Sequence, residues 1–205
     1  MRRRTSQGSP RSSFCISWRI SASRRSARHQ WTLTRTKIRC AGRLADHIVN
    51  TSPLCYLHRA GILHVLPAIL GRVIVPSQVV AELGAGRARG YDLPNPLVLP
   101  WADVRPVAPL SPQLELFGFL GAGERSVLTL AMANPGSVAI IDELPGRRVA
   151  ARFGVNVTGT LNVVLVAKQL GHVAAVRPIL DRLQELRFRV SAELRDHILT
   201  LAGEA

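Results

Sequence analysis

Four carboxylate side chains and one amide stand where an α/β fold would bring them together: Asn50, Glu82, Glu124, Asp142 and Glu143. Asn50 and Asp142 each end a short apolar run, HIVN and SVAIID, of the kind that forms a buried parallel strand. The carboxyl ends of such strands line the ligand crevice of an open α/β sheet. Oxygen ligands gathered there suit Mg²⁺, which commonly bridges to phosphate, so a phosphodiester nuclease is the working hypothesis.

Each of these acidic residues also has a simpler interpretation. Glu124 could favour the positive N-terminus of its helix, and Asp142 could cap the helix that follows it. Glu82 could be a solvated acid on an amphipathic helix. All thirteen acidic residues of the chain lie after residue 45, however, and the candidates fall at strand ends or near helix starts. Taken together, the set supports an ion site more strongly than any single residue does, and the separate structural roles stay open.

The order of elements predicts an α/β fold with a mainly parallel sheet. Strands are expected at HIVN, RVIVP, SVAIID and VNVTG, with a short one near Asp103 to Val107. Helical patterns lie between them, and two more helices end the chain, the last with Ser191 as its N-cap. Alternating strands and helices of this kind build a parallel sheet by crossover connections.

Residues 1–45 differ in composition from the rest of the chain. They hold twelve of the 27 Arg and Lys residues and no acid, so residues 46–205 carry a net charge of only +2 out of +14. This extension has little apolar content, and we expect it to be a disordered basic tail joined to a domain at 46–205. It could be a nucleic-acid-binding arm, a targeting peptide, or translation from upstream of the true start.

Other classes of function find little support. The chain has no GxxxxGK[ST] loop, and GAGE at 121–124 lacks the lysine of one. No GxSxG elbow is present, and the three cysteines form no CxxC pair. Polar and proline residues interrupt the one long apolar stretch, 61–80, so we expect no membrane segment and a cytoplasmic protein.

Five motifs in order resemble the PIN-domain proteins, and more narrowly a PIN-like branch of predicted nucleic-acid-binding proteins allied to VapC-type toxins. They are IVNTSPLCYL, VIVPSQVVAEL, GAGERSVLTLA, AIIDELPGRRVAARFGVNVTGTLNVVLVAKQLG and RPILDRLQELRFRVSAELRDHILTLAGE. The resemblance covers about residues 48–204. It implies an α/β/α sandwich around a parallel sheet and a ribonuclease with an acidic pocket for Mg²⁺ or Mn²⁺. RNA is then the expected substrate and a small antitoxin protein the expected partner; a homodimer is left open.

The resemblance also assigns roles to residues. Glu82, Glu124, Asp142 and Glu143 match the catalytic acids, and Asn50, Glu82, Glu124 and Asp142 the metal ligands. Ser52 and Thr160 match polar positions of the family and are expected substrate contacts. Apart from the resemblance, Arg147, Arg148 and Arg152 on the helix after Asp142 are expected either to contact the substrate backbone or to form a solvated basic face. The family usually has aspartate where this chain has Asn50, which offers a carbonyl oxygen but no charge. The alternative is therefore a catalytically weak module that binds nucleic acid or a protein without cutting it.

Overall fold

A parallel sheet of five strands forms the centre of the protein. The computed structural model describes residues 17–22, 31–36, 45–107 and 109–205. The strands, in chain order, are β1 (Ser17–Ala22), β2 (Trp31–Thr36), β3 (His47–Val49), β4 (Val73–Pro76), β5 (Ala102–Arg105), β6 (Val138–Ile140) and β7 (Asn156–Thr158). The sheet has the order β5-β4-β3-β6-β7, and every neighbouring pair in it is parallel.

The direction of strand addition reverses at the middle of this sheet. The chain places β4 and β5 successively to one side of β3, and then places β6 and β7 on the other side. The backbone N–H of Asn50, just after β3, donates to the carbonyl of Ile140 at the end of β6 over 3.1 Å. A crevice is expected where two neighbouring connections leave in opposite directions. The switch point therefore lies between the carboxyl ends of β3 and β6.

Helices cover the sheet and leave its central strands without solvent contact. They are α1 (Thr51–Arg59), α2 (Val65–Leu70), α3 (Ser77–Ala88), α4 (Pro112–Glu115), α5 (Ala122–Ala133), α6 (Leu144–Arg152), α7 (Thr160–Gln169), α8 (Arg177–Glu185) and α9 (Ala192–Ala202). Helix α5 lies across β3, β4 and β6 beside α3, whereas α7 contacts α1, α2 and α9. All residues of β3, β4 and β6 are buried, as the apolar runs predict.

The predicted α/β class and parallel sheet are confirmed. The two C-terminal helices are also present, and the Ser191 hydroxyl accepts from the backbone N–H of Leu194 as an N-cap should. The proline-rich stretch before α5 contains β5, a 3-10 turn at Pro96–Val98 and the short helix α4. Only the strand was expected there, because isolated turns carry no periodic signal.

The structure does not show the N-terminal extension as a disordered tail. Within it, β1 and β2 pair antiparallel from Ser17 opposite Thr36 to Ala22 opposite Trp31. The other residues of 1–44 lie outside the described part of the chain. Alternating threonines in WTLTRT favour a strand, and the high arginine and serine content hid that pattern.

No helix in the described ranges combines the length and apolar character needed to cross a membrane.

Candidate active site

Asn50 occupies the switch point itself. It directly follows β3 and precedes α1, and only 4% of it is exposed. Its side-chain amide Nδ2 donates to Oε2 of Glu143 over 3.4 Å. Its carbonyl oxygen Oδ1 is buried without a hydrogen-bond partner. A buried acceptor without a donor is costly, so this oxygen is well suited to a ligand.

Glu82 reaches the same place from the second turn of α3. Its Oε2 accepts a hydrogen bond from the hydroxyl of Thr51, the first residue of α1. Its Oε1 accepts from the backbone N–H of Gly123, in the first turn of α5, over 2.8 Å. The carboxylate is therefore held between two helix N-termini, where a negative charge is favoured.

Glu124 approaches from the first turn of α5 with its two oxygens in different roles. Oε2 accepts from the backbone N–H of Gly121 over 3.0 Å, which is the helix-capping role anticipated for it. Oε1 is buried and has no hydrogen-bond partner. Burial raises the pKa of Glu124 above its usual value; the Gly121 N–H opposes the rise, and the charges of Glu143 and Glu82 add to it.

Glu143 completes the group from the position just before α6. Its Oε1 accepts from the Ser52 hydroxyl, and its Oε2 accepts from Asn50. The side chains of Asn50, Glu82, Glu124 and Glu143 thus come from four segments of the chain, and we refer to them as the oxygen cluster. Ser52 lies at its edge through the bond to Glu143.

Asp142 has different partners from its neighbour Glu143. Its Oδ1 accepts from the backbone N–H of Thr160 over 2.8 Å, and its Oδ2 accepts from the Thr160 hydroxyl over 2.7 Å. The carboxylate thereby caps α7, which begins at Thr160. Burial raises the pKa of Asp142 to about 6, against the two Thr160 hydrogen bonds and the Arg147 charge, which lower it. The structure therefore brings Asn50, Glu82, Glu124 and Glu143 together, and engages Asp142 with Thr160.

The two arginines expected to contact substrate differ in orientation. Arg147 donates from Nη1 to the carbonyl of Ile141 over 3.2 Å, and burial lowers the pKa of its guanidinium while Asp142 raises it. This places Arg147 as an internal partner of the segment before α6. Arg148 is exposed on the same helix.

Two glycines that sequence reasoning passed over allow the carboxylates to approach. A Cβ at Gly123 would lie 2.7 Å from Oε2 of Glu82 and 3.0 Å from Oδ1 of Asn50. A Cβ at Gly146 would lie 2.5 Å from Oε1 of Glu124. Any side chain at these positions would displace the acid. Thr51, the hydroxyl partner of Glu82, was also missed, although it directly follows Asn50 in the sequence.

The donor set fits a hard divalent ion. It consists of carboxylate and amide oxygens, two of them buried and unpartnered, at Asn50 Oδ1 and Glu124 Oε1. Across the described ranges, no three His, Cys, Asp or Glu side chains already stand close enough to ligate one ion together. To bind an ion, the carboxylate groups of Glu82, Glu124 and Glu143 would have to move closer together. The hydroxyls of Thr51 and Ser52 would then release Glu82 and Glu143 and bond to other groups.

The comparison with protein families matches residues 46–204 to a family described as a PIN domain. The chain belongs to the PIN-domain family. A search of curated proteins and a search of solved structures each found no match. The PIN domain is a nuclease-like fold, and its members typically use divalent metal ions. The oxygen cluster at the switch point of this PIN domain is therefore its candidate active site.

The pKa of Asp142 predicts how stability varies with pH. Because this pKa rises from 3.8 to about 6 on folding, the folded protein binds a proton that the unfolded chain releases. The free energy of unfolding should therefore fall as pH rises from about 4 to 6, by at most about 3 kcal/mol from this group. Denaturant titrations in EDTA should show that fall, and Asp142→Asn should remove it. The variant also loses the counter-charge for Arg147, but asparagine is uncharged at every pH, so this loss adds no dependence on pH. If the variant showed the same dependence of stability on pH as the parent, the raised pKa would not belong to Asp142.

Proposed function

We propose that this PIN domain is a divalent-metal-dependent ribonuclease that hydrolyses phosphodiester bonds at the oxygen cluster. One observation carries the proposal: three glutamates and a buried amide converge at the switch point with two oxygens left unpartnered. A structural cluster of acids would satisfy its oxygens internally, because unpaired buried acceptors destabilise the fold. An ion site leaves such oxygens for the ion.

Asn50, Glu82 and Glu124 are the residues that would hold the ion, with Glu143 completing the set. A bound Mg²⁺ or Mn²⁺ would supply charge neutralisation for the phosphate and a more acidic water. In the ion-free protein, Gly123 and Thr51 hold Glu82 by their hydrogen bonds, and Ser52 holds Glu143. The family motif makes Asp142 a metal ligand, but in the structure both of its oxygens accept hydrogen bonds from Thr160. We therefore propose that Asp142 positions the segment that carries Glu143.

Glu124 has the carboxylate oxygen best placed to ligate the ion, because its Oε1 is buried and no donor occupies it. The hydrogen bond from Gly121 to the other oxygen holds the group in place. A carboxylate of the cluster that does not hold the ion would accept the proton of the attacking water.

The test is a cleavage assay on single-stranded RNA with protein stripped of metal by EDTA and then restored with Mg²⁺ or Mn²⁺. Cleavage should disappear on stripping and return on restoration. A matched single-stranded DNA substrate would report whether RNA is preferred. Cleavage that persists unchanged in EDTA, or no cleavage with either ion on any RNA, would overturn the proposed activity.

Replacing Asn50 by aspartate should increase activity. The change puts a negative charge on the side chain whose Oδ1 is buried without a partner and whose amide contacts Glu143. Attraction between opposite charges about 4 Å apart is on the order of 4 kcal/mol near a protein surface, and part of it would tighten ion binding. We expect about a tenfold lower metal concentration for half-maximal cleavage, and lower stability in EDTA because three carboxylates become four. An unchanged metal requirement would show that Asn50 is not a ligand.

We further propose that the chain acts as the toxin of a toxin–antitoxin pair with a small protein partner. The motif resemblance to VapC-type toxins supports this role. Induced expression should arrest growth of a bacterial host, and the product of an adjacent short reading frame should restore growth and co-purify with the chain. Growth arrest that is retained in Glu124→Gln would separate toxicity from cleavage.

The second candidate function is a PIN-like module that binds nucleic acid or protein without cutting it. Asn50 favours it, because an uncharged amide weakens the ion site. The Thr51 and Ser52 hydroxyls favour it as well, since they already satisfy Glu82 and Glu143. RNA binding without cleavage in either metal would select this alternative.

A further inference from the structure

An apolar groove with a basic edge lies beside the oxygen cluster. It has a volume of about 360 Å³ and is lined by residues of the loop before α5 and of α6: Phe117, Phe119, Pro145, Arg148, Val149 and Arg152. Of these residues, the sequence indicated only the arginines as substrate contacts, and it did not indicate a groove. Val149 is buried, whereas Phe119 and the two arginines in the lining are exposed.

The aromatic side of the groove presents a fixed but solvent-exposed ring. Phe119 is 67% exposed. Exposing this much apolar surface to water is unfavourable, because its burial would stabilise the fold. Its ring packs edge-to-face with Phe117 at a centroid distance of 5.9 Å, and Phe117 packs in the same way on Phe153 at 5.9 Å. The row of rings holds Phe119 in place and leaves most of its surface in contact with water.

The groove also carries two exposed arginines. Arg148 and Arg152 are both exposed on α6. Within the described ranges, neither forms an ion pair with an acidic side chain. The Arg152 guanidinium instead lies 5.8 Å from the centroid of Phe117. An exposed ring beside two unpaired cations is complementary to a molecule that is flat, apolar and negatively charged.

The groove and the oxygen cluster share the first turn of α6. Helix α6 starts directly after Glu143, and Pro145 in the groove precedes Gly146, which lies against the carboxylate of Glu124. A chain lying in the groove would therefore run onto the oxygen cluster within one turn of α6.

We propose that this groove binds a base of a single-stranded nucleic acid, stacked on Phe119, with a neighbouring phosphate held by Arg148 and Arg152. The inference rests on the proposed function and names how that site would hold its substrate. Every base has a π-face, so stacking on an aromatic side chain tolerates any sequence, and arginines beside the ring track the backbone.

The test is equilibrium binding of the full chain, in EDTA, to a fluorescent short oligoadenylate and to an abasic oligomer of the same length. Phe119→Ala should weaken oligoadenylate binding about tenfold and leave abasic binding within about twofold. Arg148→Gln should weaken both, and should reduce the slope of log K against log salt by about 0.7. Tyr91→Ala and Arg89→Gln are matched controls, since Tyr91 is 65% exposed, Arg89 is also exposed, and neither lines the groove.

An unchanged oligoadenylate affinity in Phe119→Ala, or an equal loss for the abasic oligomer, would overturn the stacking site. The proposal would also be overturned if Phe119→Ala converted a dimer to a monomer in sedimentation without changing oligonucleotide affinity, because the groove would then be a protein interface. Since no metal is present, binding is independent of cleavage. If the chain bound oligoadenylate in a base-dependent way but cleaved no RNA, the proposed ribonuclease activity would be wrong and the groove would remain a nucleic-acid-binding site.

Discussion

Glu124→Gln should lower metal-dependent cleavage by about a hundredfold or more while leaving the metal-free protein at least as stable as the parent. Attraction of the order of 4 kcal/mol between this carboxylate and an ion would be lost, and each 1.4 kcal/mol corresponds to a factor of ten in rate. The glutamine retains an oxygen that can accept from Gly121, so the cap of α5 remains. Because burial and the neighbouring acids raise the pKa of Glu124, the charged form is less favourable in the metal-free fold than in water, and a neutral glutamine avoids that cost.

The measurements are kcat/KM on single-stranded RNA in Mg²⁺ and the melting temperature in EDTA. Glu193→Gln is a matched control, since Glu193 is an exposed acid in the first turn of another helix, α9. A Glu124→Gln variant with near-parental cleavage would show that the oxygen cluster does not carry the reaction. A variant that loses cleavage only because it unfolds would show a lower melting temperature, which the pKa direction argues against.

Gly123→Ala should weaken metal binding and cleavage about tenfold without destabilising the fold. The new methyl group would lie 2.7 Å from Glu82 Oε2 and 3.0 Å from Asn50 Oδ1, so both oxygens would have to move. The larger displacement falls on the end of the flexible Glu82 side chain, which moves at little cost, and Asn50 has to give way only slightly. The melting temperature in EDTA should therefore stay near the parental value while metal binding and cleavage fall.

Gly84→Ala serves as the matched control for Gly123→Ala. Gly84 lies in α3, and a Cβ there would meet nothing closer than an Arg87 side-chain nitrogen at 3.9 Å. Calorimetric titration with Mn²⁺ and thermal melting in EDTA should separate the two variants. If Gly123→Ala bound Mn²⁺ as tightly as Gly84→Ala, the close approach at Gly123 would have no bearing on the ion.

The strand ends of this site could be predicted from the sequence because their signal is local. Apolar runs ending at Asn50 and Asp142 mark buried parallel strands, and such strands place their ends at one edge of the sheet. Family resemblance then indicated Glu82 and Glu124. Which face of α3 and α5 turns toward that edge depends on tertiary packing, and here packing on the sheet turns both acids inward.

Other parts of the site depend on contacts that no local pattern records. Asp142 and Glu143 are adjacent, and the turn after β6 directs one to Thr160 and the other to Asn50. The glycines of GAGE resemble part of a phosphate loop, yet Gly123 is required by a carboxylate 41 positions earlier in the chain. Likewise, the groove at Phe119 is formed only when the loop before α5 packs beside α6.

The most direct test of the ion site is a crystal structure of the EDTA-stripped protein soaked with Mn²⁺ and measured at the manganese absorption edge. One anomalous peak should lie between Asn50, Glu82 and Glu124, with their oxygens at about the 2.1 Å expected of a small divalent cation. The Thr51 and Ser52 hydroxyls should have exchanged partners in that structure. A crystal that binds manganese only elsewhere, or leaves Asn50 Oδ1 and Glu124 Oε1 without a ligand at saturating Mn²⁺, would contradict a metal-dependent nuclease centred on this cluster.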